Sequence, residues 1–141
     1  MRKHKGFTLI ELVVVVMILG ILAAVAAPKL LGTSSTASDN GIKETLGVVR
    51  DAIERYAAEH GGGLPGTDEN TFKAALVPYL RVFPKSPLVS GPTADSVEVV
   101  TTTLATGAKA WQYNKSDGTF ICNSTALVKS DTTGTLQYKD L

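Results

Sequence analysis

An apolar run near the N-terminus constrains this 141-residue chain more than any other feature. From Phe7 to Ala27 there are 21 residues, and only Thr8 and Glu11 among them carry polar side chains. An α-helix of that length is about 30 Å long, which matches the hydrocarbon thickness of a bilayer. The run therefore predicts a single membrane-spanning helix.

Glu11 is the exception within that helix. An ionisable side chain inside a spanning segment costs about 3 kcal/mol on insertion scales, so it indicates a function. A basic tag at residues 1–5 precedes the run, as in a secretory signal peptide, and Ala24-Val25-Ala26 could be the cleavage site of one. Glu11 argues against a signal peptide, because it places a charge where such a segment gains from having none.

The residues at the start of the run favour a different kind of processing. They resemble the processing motif of the type IV prepilin family at every position, Gly6-Phe7-Thr8-Leu9-Ile10-Glu11. The resemblance covers the first quarter of the chain. It implies that a prepilin peptidase cuts after Gly6, that Phe7 becomes the new N-terminus and is N-methylated, and that Glu11 guides assembly.

A buried carboxylate needs a partner, and no basic side chain lies between Phe7 and Pro28. After cleavage the available cation is the α-amine of Phe7. A bond to Glu11 within one subunit spans one helical turn, and a bond to the amine of the next subunit would fix the axial register of a filament. Thr8 is a second candidate for assembly, because its hydroxyl could bond nearby or merely satisfy the backbone.

Gly20 and Pro28 are predicted to interrupt the first helix. Proline lacks a backbone N–H, so Pro28 would weaken, kink or end the helix. The resemblance implies instead that Gly20 and Pro28 mark a segment that unwinds locally when subunits pack in a filament.

Helical periodicity resumes beyond a Ser/Thr-rich stretch. Ser38 or Asp39 is a plausible N-cap for this part, and a glycine run after His60 ends it. The apolar residues form one stripe at spacings of three and four, namely Ile42, Leu46, Val49, Ile53 and Tyr56. We expect four segments: a cleaved leader (1–6), a transmembrane and assembly helix (7–28), its amphipathic continuation (29–60) and a globular α+β domain (61–141).

The remaining elements are short. A second helix is predicted at 67–80, capped by Asp68 or Asn70, and a proline-rich loop at 83–93 is a candidate contact surface. Strands are predicted at 97–101, 109–113 and 119–123, with a turn at Gly118 and short edges at 127–128 and 136–138. Trp111 and Tyr113 should pack on the amphipathic helix. A long helix across a small antiparallel sheet is the pilin fold that the N-terminus implies.

Composition narrows the function further. Arg2, Lys3 and Lys5 lie in the leader. The mature chain would therefore have 11 basic and 13 acidic side chains and a net charge of about −2. No basic patch suggests nucleic-acid binding. Basic residues before the helix predict a single-pass protein with its N-terminus in the cytoplasm and its globular domain outside. The prepilin resemblance implies that the membrane is the bacterial inner membrane and that the globular domain lies in the periplasm. The single cysteine, Cys122, cannot form an intrachain disulfide.

Many pilus subunits carry a C-terminal cysteine pair, so the lone cysteine favours the pseudopilin branch. The glycine-rich helix stop, the strand at 111–114 and the Gly118 turn are similar to G-type pseudopilins of type II secretion. That branch often binds calcium in a C-terminal loop. Here Asp117, Asp131 and Asp140 lack the spacing of a calcium loop, so we expect no metal and no other cofactor.

Catalytic chemistry has little support. The histidines are His4, in the leader, and His60, for which a structural role is expected, and no nucleophile–base arrangement can be proposed. The sequence therefore predicts a protein that is not an enzyme.

The interpretation is a structural subunit of a type II secretion pseudopilus, polymerised through its N-terminal helices into a periplasmic filament that drives protein export. Its expected partners are prepilin peptidase, the inner-membrane assembly platform and minor pseudopilins. One alternative is a type IV pilus or DNA-uptake (competence) subunit, with the filament at the cell surface. Another is a membrane-anchored binding module that does not polymerise.

Overall fold

The structure is a computed structural model that describes residues 7–102 and 108–141, without the side chains of residues 29–35. The chain divides into two compact units, Met1–Ser35 and Thr36–Leu141, and we call the second the globular unit. The elements in chain order are α1 (Leu9–Glu59), α2 (Glu69–Leu76), β1 (Val97–Val100), β2 (Trp111–Asn114), β3 (Phe120–Cys122) and a single 3-10 turn (Tyr138–Asp140).

The first part of α1 fits the predicted spanning helix. Leu9–Pro28 is 20 residues of apolar helix, long enough to cross a membrane by length and composition, and none of it is buried. The helix does not end at Pro28, which lies inside α1. The alternative that this proline terminates the helix is therefore wrong, and the flexibility of Gly20 and Pro28 stays a prediction.

The second part of α1 belongs to the core of the globular unit. Its predicted apolar stripe is confirmed, because Ile42, Leu46, Val49 and Ile53 are buried and Tyr56 packs against the same cluster. The compact unit begins at Thr36. Most of the predicted amphipathic segment therefore folds together with the predicted domain that follows it.

Asp39 corrects one sequence prediction. Neither Ser38 nor Asp39 caps a helix, since α1 begins thirty residues earlier, at Leu9. The Asp39 side chain is fully buried. Its carboxylate accepts a hydrogen bond from the Tyr138 hydroxyl and another from the backbone N–H of Ser130, at 2.6 Å. A buried carboxylate must be hydrogen-bonded, and here the C-terminal segment supplies the donors.

The second helix is shorter than predicted. Asp68 is its N-cap, and its carboxylate accepts from the backbone N–H groups of Asn70 and Thr71. The helix ends at Leu76, two residues before Pro78. Pro78 has no backbone N–H to continue the helical hydrogen bonds, and the Val77 N–H bonds to the Ala74 oxygen instead.

The α+β fold class is confirmed, but the sheet is mixed. Its order is β1-β2-β3. β2 and β3 pair antiparallel around the predicted turn, where Gly118 has a φ of 79°. β1 and β2 pair in parallel, with Val97 opposite Trp111, so the expected antiparallel pairing is wrong there. Side chains alternate along a strand in the same way for either sense of pairing, so the alternation at 97–101 did not decide it.

The edges predicted at 127–128 and 136–138 form less structure than expected. Leu127 and Gln137 make a single antiparallel bridge, and Tyr138 opens the 3-10 turn.

Aromatic side chains fill the space between α1, α2 and the sheet. The Phe72 and Tyr113 rings stack with centroids 4.1 Å apart, and Trp111 stacks on Phe120 at 5.6 Å. Trp111 and Tyr113 are fully buried and belong to the same core cluster as the apolar stripe of α1, in agreement with their predicted packing role. Cys122 is a buried free thiol, and burial raises its pKa to about 11.

Glu69 fixes α2 against β1. Its carboxylate lies 2.6 Å from Lys109 Nζ and 3.0 Å from Lys73 Nζ, and it accepts the backbone N–H of Val97. Burial raises the pKa of Glu69, but its bonds to Lys109, Lys73 and Val97 outweigh burial and bring the pKa to about 2. The carboxylate therefore stays ionised and keeps the helix N-terminus on the sheet.

Replacing Asp39 tests the link between α1 and the C-terminal segment. Asp39→Ala should lower the free energy of unfolding by about 2 kcal/mol, because the buried Tyr138 hydroxyl loses its acceptor. Chemical unfolding of the detergent-solubilised full chain measures this. The exposed Asp51→Ala on the same helix is the control and should change stability by less than about 0.5 kcal/mol. Equal effects of the two substitutions would contradict the assignment.

The stability that Asp39 contributes should depend on pH. Burial raises the pKa of Asp39, but the bonds from Tyr138 and Ser130 hold it below the usual 3.8. Its contribution is therefore complete at neutral pH and is lost as the pH falls through the lower folded-state value. The stability difference between the native chain and Asp39→Ala should shrink below about pH 4.

Candidate functional site

The candidate site is the start of α1. Thr8 immediately precedes the helix and Glu11 is its third residue. The Glu11 carboxylate accepts the backbone N–H of Thr8 at 2.9 Å and the Thr8 hydroxyl at 2.7 Å. In return the Glu11 N–H donates to Thr8 Oγ1 at 3.3 Å. This reciprocal pair is a capping box, which satisfies backbone donors that a helix start otherwise leaves unpaired.

The sequence contained the signal for this arrangement. Threonine followed three residues later by glutamate, before an apolar run, is a capping-box signature. Glu11 and Thr8 are both predicted assembly residues, but the hydrogen bonds between them are not among the predictions. The structure brings these two predicted residues together and shows that the Thr8 hydroxyl serves Glu11.

The capping box explains how a carboxylate is tolerated at this end of the apolar helix. Glu11 lies in the first turn, where the positive end of the helix dipole favours an acidic side chain. Its two donors both come from Thr8, so one chain satisfies the carboxylate without any cation. The arrangement leaves the group available for exchange, because the side chains of Thr8 and Glu11 are both exposed.

The predicted cleavage point is partly covered by the structure. Gly6 lies outside the described residues. Phe7 is described, precedes the helix and is 75% exposed. Cleavage after Gly6 and methylation of Phe7 stay predictions.

Gly20 and Pro28 lie along the same helix, away from the capping box. A Cβ built at Gly20 would meet no atom within 4 Å apart from the local helix backbone and adjacent residues. Glycine in a helix interior costs about 1 kcal/mol relative to alanine. The space around Gly20 within one chain therefore gives no reason for that cost.

The C-terminal aspartates do not form a recognisable metal site. Asp131 accepts the backbone N–H groups of Thr133, Thr135 and Leu136, at 2.8 to 3.0 Å, and the Thr133 hydroxyl. Over residues 7–102 and 108–141, no group of three or more His, Cys, Asp or Glu side chains is placed to hold a metal ion. The expectation that the chain holds no metal and no other cofactor stays a prediction.

His60 has contacts of a structural kind. Its ring stacks on Tyr56 with centroids 3.9 Å apart, and its Nδ1 lies 2.8 Å from the Tyr56 backbone oxygen. Both contacts hold His60 against the last turn of α1, in agreement with its expected structural role.

Comparison with known proteins places these features in context. The family model described as the prokaryotic N-terminal methylation motif matches residues 1–27. Core protein G of the type II secretion system of Vibrio cholerae is 32% identical over 99 residues, which cover 62% of this chain and 67% of that protein.

Two pilus proteins also match. A fimbrial protein of Eikenella corrodens is 44% identical over 68 residues, covering 48% of this chain and 42% of the relative. The major component of the narrow type IV pilus of Thermus thermophilus is 38% identical over 67 residues, covering 48% and 57%. The chain thus spans from about two fifths to two thirds of the length of these relatives. No solved structure matches the chain significantly.

Proposed function

This chain belongs to the type IV pilin-like family, and from that premise we propose that it is a structural subunit of a type II secretion pseudopilus. The observation that carries the choice is the length of the match to the Vibrio core protein G. It spans 99 residues, so it extends beyond the 51-residue α1 into the globular unit. The pilus matches are shorter, at 67 and 68 residues.

The second candidate is a type IV pilus subunit, which the 44% identity to a fimbrial protein favours. Both candidates are structural subunits rather than enzymes, and both require the same processing and polymerisation. They differ in where the filament ends, in the periplasm for a pseudopilus and outside the cell for a pilus.

The proposed mechanism begins in the inner membrane. Arg2, Lys3 and Lys5 hold the N-terminus in the cytoplasm, which leaves the globular unit in the periplasm. Prepilin peptidase cuts between Gly6 and Phe7 and methylates Phe7. The subunit then passes through the inner-membrane assembly platform into the filament, where minor pseudopilins are its further partners.

Polymerisation supplies a cover for the apolar helix. No described residue of the same chain covers the side chains of Leu9–Pro28. When the helices leave the bilayer, a bundle buries these side chains again. Each Å² of apolar surface that is buried stabilises the bundle by about 25 cal/mol. Gly20 suits such a bundle, because its open surface lets a neighbouring helix approach closely.

Glu11 gives the bundle its register. Within one subunit the carboxylate is held by Thr8, at 2.7 and 2.9 Å. Cleavage creates an α-amine at Phe7, and the amine of a neighbouring subunit is a charged donor that Thr8 cannot match. Exchange of Thr8 for that amine fixes one subunit axially against the next.

The processing proposal is tested by the mass and N-terminal sequence of the protein isolated from its native membrane. A chain that begins at methylated Phe7 is expected. A chain that begins at Ala27 would identify a secreted soluble domain, and an intact Met1 would indicate an unprocessed membrane anchor; either result would overturn the proposal.

Replacing Glu11 tests its role in register. Glu11→Ala should insert and be processed but should form few filaments, as counted by electron microscopy of sheared material. Thr8→Val keeps the carboxylate while removing the hydroxyl donor, so it should still assemble, because the α-amine takes over. Glu44→Ala, an exposed acid farther along α1, serves as the control. Normal filaments from Glu11→Ala would contradict the proposal that Glu11 sets the axial register.

Replacing Pro28 tests the unwinding of the helix. Pro28→Ala restores a backbone donor and should stiffen α1, so we expect fewer filaments than from the native chain under equal expression. Unchanged filament number and length would count against a role for Pro28 in assembly.

A further inference from the structure

Exposed valines mark one side of the globular unit. Among its described residues, the large apolar side chains that are exposed are Val48, Val77, Val82 and Leu127. The three valines are 48%, 68% and 75% exposed. Val48 lines one recess, Val77 and Val82 line another, and the two recesses adjoin at Leu80. We call this region the valine surface.

Unpaired basic charge accompanies the valines. Arg81 lines the recess with Val77 and Val82, and Arg55 lines the recess with Val48. Both arginines are exposed. The ion pairs found among the described residues involve neither of them. The valine surface therefore combines protruding apolar groups with cations, although Asp51 lies beside Arg55.

A second surface lies on the other flank of α1. It is a groove of about 350 Å³ between the helix and the β2–β3 turn, lined by the apolar side chains of Ala57 and Leu64 and by the acids Glu54 and Asp117. The turn packs closely on Leu64 and more loosely on α1, since a Cβ at Gly118 would lie 3.0 Å from Leu64 Cδ2 and 3.9 Å from Ile53 Cγ2. We call this region the acidic groove.

Arg50 also lines the acidic groove, but its charge is engaged by backbone oxygens. Its Nε donates to the Phe120 oxygen at 3.0 Å and its Nη1 to the Leu141 oxygen at 3.1 Å. The ion pairs found among the described residues do not include Glu54 or Asp117. The groove is thus open and apolar at its base. Its acids are Glu54 and Asp117, and Asp117 also accepts hydrogen bonds from Asn114 Nδ2 at 2.9 Å and from the Thr119 N–H at 2.8 Å.

The geometry points to a contact between copies of this chain: we propose that the valine surface of one subunit docks in the acidic groove of the next. Apolar side chains meet an apolar base, and Arg81 meets Glu54 and Asp117. This inference rests on the proposed function, because it names the contact that globular units make within the polymer. Electrostatic complementarity of this kind orients an interface.

The position of the two surfaces decides the type of assembly. On α1 the valine surface uses residues 48, 51, 52 and 55, whereas the acidic groove uses residues 50, 53, 54 and 57. Because the two patches differ, the contact is heterologous, and a pair of subunits keeps one free surface of each kind, one on each subunit. Such a contact produces an open helical polymer unless its rotation closes a ring.

Cysteine crosslinking in assembling cells tests the contact. Full-length chains carrying Val82→Cys with one tag and Ala57→Cys with another are co-expressed with prepilin peptidase and the assembly platform. Mixed-tag crosslinks are expected, and either variant alone should give few. Cys122 is buried and stays as a constant background. Equal crosslinking by Val82→Cys alone would indicate a twofold contact and overturn the proposal.

Charge exchange supplies the matched control. Arg81→Glu in a Val82→Cys, Ala57→Cys chain should lower the crosslinked fraction about tenfold, and adding Glu54→Arg should restore it. Lys43→Glu makes the same charge change on α1 outside both surfaces and should have little effect. Filaments without the crosslink would refute this contact and leave the proposed function intact. A native chain that is processed but never polymerises would refute the proposed function itself.

Discussion

The described part of the chain provides no cover for the apolar half of α1, and the behaviour of the molecule depends on that constraint. Every residue of Leu9–Pro28 is exposed in the isolated chain, so the segment is stable only in a lipid or among other apolar helices. A membrane and a helical bundle satisfy the same requirement. In the proposed function, transfer from the bilayer to the bundle therefore involves only a small difference between two large free energies of burial.

The other half of the same helix is committed to the globular unit by polar as well as apolar contacts. Asp39 holds Ser130 and Tyr138, and eleven residues later Arg50 holds the backbone of Phe120 and Leu141. These tethers join α1 to the third strand and to the C-terminal segment. The globular unit is therefore built around its helix.

Local patterns predicted what local physics decides. The buried stripe from Ile42 to Ile53 follows from helical spacing, and the Gly118 turn follows from its residue type. Asp39 was misread because its donors are 91 and 99 residues away, and no local pattern reveals them. The parallel pairing of β1 with β2 was not predicted, because alternation within a strand does not encode the sense of pairing. The Thr8–Glu11 capping box was readable from the sequence and was overlooked.

Two contacts would then define the filament, one inside the low-dielectric helix bundle and one in water. The donors that Thr8 offers to Glu11 are neutral and belong to the same chain, so they do not position a neighbouring subunit. The α-amine of a second subunit is charged, and its attraction to Glu11 is strong in the low-dielectric interior of the bundle. The contact between the valine surface and the acidic groove lies in water, where salt screens it over about 10 Å. High salt should therefore weaken the outer contact while the helix bundle holds, so the two contacts make separable contributions to one polymer.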